Sequence, residues 1–175
     1  LLSSCRRQRQ SGIRDSNLSL QGLENNRSFH QYEINQPVLS MVSYFFAKYE
    51  KQSFHYGKLP IDIYYHKNHD GNILEMVRAT KLTMKYMQAE FGDYPYDSLK
   101  LIETTKQAPF GGRASAGVVA LNESLFTQNP KGKVNINNVV RNTIHEVVHQ
   151  WFGEKLAARE GKGQKVIHES ITKYL

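Results

Sequence analysis

The chain has one cysteine, Cys5, so it cannot form an internal disulfide, and a lone thiol says little about compartment. No apolar run reaches membrane-spanning length, and no charged leader followed by an apolar stretch opens the sequence. Repeats and low-complexity tracts are missing. The glycine-rich segment at 109–117 lacks the Lys-Ser/Thr ending of a phosphate loop, and no helix-forming run follows it. The formal net charge is +7, yet no helix-turn-helix, finger or aromatic RNA-binding pattern accompanies it. The basicity therefore reads as a solvated surface, with no nucleic-acid partner; proximity to an anionic membrane is the other reading. Disorder is excluded too. Ten Tyr and eight Phe in 175 residues give enough apolar material for one domain with a real core, or parts of two.

What is present centres on His145-Glu146-Val147-Val148-His149-Gln150-Trp151-Phe152-Gly153. Val140, Ile144, Val147, Val148 and Trp151 recur near helical spacing, with Gly153 as the expected stop. On a helix, His145 and His149 project from one face a turn apart, and two ring nitrogens can reach one tetrahedral zinc ion. Glu146 lies about a hundred degrees further round, where it can take a proton from water. A core helix that happens to carry two histidines is the bland alternative. Glu169, in the later stretch His168-Glu169-Ser170, would complete a His, His, Glu site with a fourth position left open.

These residues resemble the M1 family of zinc aminopeptidases, gluzincins with a thermolysin-like catalytic domain. The resemblance rests on HEVVHQWFG, on a Glu about twenty residues later, and on Tyr174 five places beyond it. Phe91-Gly92-Asp93-Tyr94-Pro95-Tyr96 and the strand-like residues 99–103 also agree. It covers most of 37–175 and is strongest at 139–175. It implies one Zn2+ held by His145, His149 and Glu169, Glu146 as the catalytic base, Tyr174 beside the ligands, and a peptide substrate. Most of the family places eighteen residues between the second His and the Glu. Here residues 150–168 intervene, which makes nineteen, so strict counting selects His168. The text around Glu169 favours Glu169. The longer spacing resembles an M1-like branch found fused to, or beside, ABC-type membrane permeases. That implies membrane association through other parts of a parent chain, with the peptidase domain outside the cytoplasm.

A second departure concerns the substrate. Residues 111–118 resemble the family's GAMENWGL motif, a strand-edge loop that lies along the peptide, which nominates Gly111, Gly112, Arg113, Ala114 and Ser115 for substrate contact. The motif's Glu, which holds the free α-amine, falls on Ala114, and its Asn on Ser115. Ala cannot pair with an ammonium ion, so strict aminopeptidase specificity is in doubt. Glu123 is a candidate substitute, with a solvated or capping role as its default, and Arg113 can meet a carboxylate or simply face solvent.

The expected architecture is α+β, a mixed sheet packed on helices, forming the N-terminal half of a thermolysin-like domain over 37–175. Residues 1–36, with the basic cluster Arg6, Arg7 and Arg9, are expected to be a linker or the tail of a preceding β-rich domain, bounded by Pro37. Alternation predicts strands at 27–34, 38–46 and 58–65, the last two forming a hairpin with Ile61 and Ile63 on one face and Asp62 and Tyr64 on the other. His66 and His69 frame the loop HKNH. Two His three apart can bind a metal, but no third ligand is evident, and a turn ahead of a helix is the default. A stripe of Ile73, Met76, Val77, Thr80, Met84, Met87 and Phe91 predicts a core helix over 72–91, capped by Asp70 or Asn72 and ended by Gly92. Residues 129–132 read as a turn, Asn135 to Asn138 as caps of the zinc-site helix, and 157–165 as an exposed loop or, equally, a segment packed against a partner. The chain starts without Met and stops inside an expected helix, so it reads as a fragment, and a fragment without an oxyanion-stabilising Tyr is expected to turn over weakly. The expected activity is zinc-dependent peptide hydrolysis. The alternative is a non-catalytic M1-like domain for peptide binding or assembly beside a transporter.

Overall fold

The computed structural model of the chain describes residues 10–12, 17–24, 27–33, 45–129, 133–156, 161 and 163–174. Cys5, the arginine cluster at 6–9, Pro37, residues 38–44 and most of the 157–162 linker lie outside them. The architecture is α+β, as the sequence patterning predicts. A five-stranded mixed sheet runs in the order β5-β6-β7-β9-β8, from β5 (Glu50–Tyr56), β6 (Leu59–Tyr65), β7 (Leu99–Thr104), β8 (Gly112–Ser115) and β9 (Val118–Asn122). The β6–β7 and β7–β9 pairs are parallel; the outer pairs are antiparallel. Two short antiparallel pairs stand apart from it: β1 (Gln10–Gly12) with β4 (Phe45–Ala47), and β2 (Asn17–Glu24) with β3 (Arg27–Glu33).

Helix α1 (Ile73–Phe91) supplies the core face that its periodicity predicts. Met76, Met84 and Met87 are fully buried, against Ile61, Ile63, Leu99 and Leu101 of the sheet. Each such side chain contributes roughly 1.5–3 kcal/mol by leaving water. Phe91, at the end of the stripe, is 37% exposed and packs edge-on against Phe152 instead, centroids 5.1 Å apart. Helix α3 (Lys133–Val148) packs on α1 and on β8 and β9, and the short α2 (Glu123–Thr127) follows β9. Trp151, fully buried, donates its indole N–H to Gly92 O at 2.9 Å, tying the end of α3 to the end of α1. Among the described residues no helix is long and apolar enough to cross a membrane.

Four expectations change. The hairpin partner of β6 is β5, not 38–46; of that stretch only Phe45 and Phe46 are described, and they lie in β4, which pairs with β1. Strand β5 (EKQSFHY) is a polar edge strand, so it carries little apolar signal. Asn72 sits at the start of α1 but does not cap it: its amide donates to the carbonyls of Leu125, Phe126 and Gln128, at 2.9, 3.2 and 2.8 Å. Binding three carbonyls at a helix end, where backbone acceptors lack intrahelical donors, outweighs a local cap. Helix α3 begins at Lys133, so Asn135 to Asn138 lie inside it rather than at its cap. It also ends at Val148, ahead of Gly153, and continues as tighter turns with Gln150 N–H on Val147 O and Trp151 N–H on Val148 O.

Candidate metal centre

His149 lies one residue past α3, yet its N–H still reaches His145 O at 3.2 Å, so the helical turn that aligns the two imidazoles is intact. Their Nε2 atoms are 3.1 Å apart. Across from them, Glu169 sits on a π turn (Val166–Ser170) that leads into α4 (Ile171–Tyr174). Its Oε2 is 3.5 Å from His145 Nε2 and its Oε1 3.8 Å from His149 Nε2. One donor atom from each residue falls in a set spanning no more than 4.8 Å.

The tautomers suit a cation. His149 Nδ1 lies 2.9 Å from Phe152 O. A carbonyl only accepts, so Nδ1 carries the proton and Nε2 offers a lone pair to the cluster. Burial lowers the His145 pKa, with His149 adding to the effect and Glu169 opposing it, a shift that favours the neutral ring. Zinc bonds of 2.0–2.1 Å in tetrahedral geometry place ligand atoms about 3.3 Å apart. The observed 3.1, 3.5 and 3.8 Å bracket that value, so this donor set fits a zinc-like ion.

The turn that carries Glu169 is wide. Its Ile171 N–H reaches back to Val166 O, five residues rather than four, so one turn absorbs an extra residue. Glu169 thereby faces the imidazoles. The His168 ring lies toward Gly153 instead, and its carbonyl accepts from Thr172 Oγ1 at 2.6 Å.

Glu146 is only 5% exposed. Burial, then the Glu169 carboxylate, pushes its pKa up to about 8, while an Ala114 backbone hydrogen bond pulls the other way. Its carboxyl group lies against the backbone of β8. A Cβ built on Gly112 would stand 2.5 Å from Glu146 Cγ and Oε1 and 2.7 Å from Cδ. Residue 112 must therefore lack a side chain for the acid to sit there, a constraint that a glycine in a loop-like sequence does not announce.

Gln150 was not singled out by the sequence. It is fully buried, donates to Ser115 O at 3.1 Å and accepts from Gly117 N at 2.9 Å. One amide thus clamps the β8–β9 hairpin to the residue after His149. Gln150→Leu should strand a buried donor and a buried acceptor, at about 1–3 kcal/mol each. For a domain of this size that is a fall in Tm of at least about 4 °C, measured by thermal unfolding; an unchanged Tm contradicts the clamp.

The other nominated residues are dispersed. Ser115 is buried on β8, Ala114 half-buried, and Gly111 and Arg113 exposed along the same edge. Glu123 Oε2 accepts from Lys106 N–H at 3.2 Å. Tyr174 is 91% exposed, on a four-residue helix whose outer side meets solvent, so its ring does not pack beside the cluster. His66 and His69 form a separate group, away from these residues.

No curated protein matches the chain. Among known families, residues 74–175 match the Peptidase family M1 domain. That span is more than half of the sequence and includes α1 from its second residue, the sheet strands β7 to β9, and every member of the cluster. Two imidazoles and an acid at the end of one helix, a facing carboxylate and a flanking sheet edge thus fall within the matched residues, and the chain belongs to peptidase family M1.

Proposed function

We propose that this protein hydrolyses peptide bonds at a single zinc ion held by His145, His149 and Glu169, with Glu146 as the proton acceptor. The family is generally zinc-dependent, and membership implies metallopeptidase-type peptide hydrolysis. The observation that carries the residue assignment is the convergence of three donors beside a buried carboxyl group. When bound, zinc supplies Lewis acidity, polarising a carbonyl and making water a better nucleophile at neutral pH. Glu146 takes the proton of the attacking water and hands it to the leaving amine.

Among the described residues strand β8 is a sheet edge, paired on one side only, with β9. A peptide laid along it gains backbone hydrogen bonds as an added strand, which orients its scissile bond toward Glu146. Ala114 offers no carboxylate to a free α-amine, so any preference for free N-termini does not come from this position. That same alanine favours a second reading, a peptide-binding M1 domain that does not turn over.

The assignment of the third ligand is tested by zinc titration of two neighbours. Glu169→Gln should weaken zinc binding by more than about 100-fold, beyond what an outer partner of a ligand costs. His168→Ala should leave affinity within a few-fold of the parent. The reverse order would move the ligand to His168 and overturn the scheme.

A further inference from the structure

The geometry points to a second metal site in this protein, built from His66, His69 and Glu103 and sharing no residue with the first. It is independent of the peptidase reading.

Glu103 lies on β7 in the file of Leu99 and Leu101, whose side chains face the apolar core. Strand alternation calls for an apolar residue there. An acid occupies the place, and it is fully buried. A buried carboxylate must be paired, hydrogen-bonded or bound to a metal. Its two oxygens are divided between tasks. Oε2 accepts the backbone N–H of His66 at 2.6 Å, which fixes the carboxylate plane. Oε1 faces two imidazole nitrogens, His69 Nδ1 at 2.6 Å and His66 Nδ1 at 3.2 Å.

The loop is shaped for this convergence. His69 N–H bonds to His66 O at 3.0 Å, and Asn68 between them takes φ of 69°, a left-handed conformation that Asn tolerates. The turn puts both rings on the side of β7. The Tyr49 ring packs 5.2 Å from the His66 ring, and its hydroxyl donates to Glu103 O at 2.8 Å, so a further side chain holds the group in place. The two histidines are 35% and 26% exposed, which leaves a way in from solvent.

Each neutral imidazole can carry its proton on the outward Nε2 and present a lone pair at Nδ1. Two nitrogens and one carboxylate oxygen suit a borderline d-block divalent ion, zinc or cobalt, over calcium or magnesium, which prefer oxygen cages. Opening the 2.6 Å contact to the tetrahedral edge of about 3.3 Å needs a shift of less than an ångström in a partly exposed ring. Such an ion would pin the turn between β6 and α1 to β7, so its place is structural.

The test is metal stoichiometry of the whole chain, equilibrated with zinc chloride, freed of excess and analysed by elemental mass spectrometry. Two equivalents are expected for the parent chain and one for His66→Ala/His69→Ala. Cobalt(II) added to His145→Ala/His149→Ala should still give visible d–d absorption. Glu103→Gln, of unchanged shape, should weaken that residual cobalt binding by more than about 100-fold. A single equivalent in the parent chain that is lost with the His145/His149 pair, or two equivalents retained by His66→Ala/His69→Ala, overturns the proposal. The parent measurement needs no variant, so a misfolded mutant does not decide the matter.

Discussion

Glu146→Gln should lower peptide turnover by about 100- to 10,000-fold while zinc remains bound at the level of the parent protein. General base catalysis is worth that much, and an amide cannot accept the proton. Metal retention should hold because Glu146 is not among the converging donors. The substitution preserves shape, and the buried pocket already disfavours a charged group there, so loss of fold is not expected. The experiment pairs elemental zinc analysis with a peptide digest followed by mass spectrometry. It also separates the two readings of the site. If the parent chain binds peptide without cutting it and Glu146→Gln binds equally well, the domain is a binding module.

The second large effect belongs to a residue without a side chain. Gly112→Ala should lower turnover by about 100-fold, with zinc affinity unchanged. The added methyl would stand 2.5 Å from Cγ and Oε1 of Glu146. A buried carboxyl group cannot swing freely aside, so either the acid or the strand edge moves by about an ångström, enough to cost that much in a catalytic step. The diagnostic is non-additivity. On a Glu146→Gln background, Gly112→Ala should cost little more, because both changes disable one function. Full additivity would mean that Gly112 serves the peptide directly and not the acid. A parallel fall in zinc affinity would mean that the strand edge supports the ligands.

How far the sequence foretells this arrangement depends on whether a signal is local. The stripe of α1 and the paired histidines at the end of α3 are legible because helical period and metal spacing lie within a few residues of each other. Ile61 and Ile63 are likewise legible from alternation. The strand that pairs with them is not, since Glu50–Tyr56 is a polar sheet edge. The same holds for Asn72, which reads as a cap and serves as a clamp for α2 carbonyls from more than fifty residues away. Glu103 reads as one more charge in a strand, and HKNH reads as a turn without a third donor. Only folding brings them together across 37 residues. Gln150 is masked by its neighbour: beside a histidine that reads as a candidate ligand, a polar residue draws no separate attention, though it holds the hairpin.

The wide turn before α4 has a consequence for the chemistry on offer. His168 and Glu169 are adjacent, and tightening that turn by one residue would rotate the helix by about a hundred degrees and bring the imidazole inward in place of the acid. The swap would exchange an anionic donor for a neutral one and raise the charge of a bound complex by one. A slight change of pitch, with no change of sequence, thus separates two electronically different sites on the same scaffold.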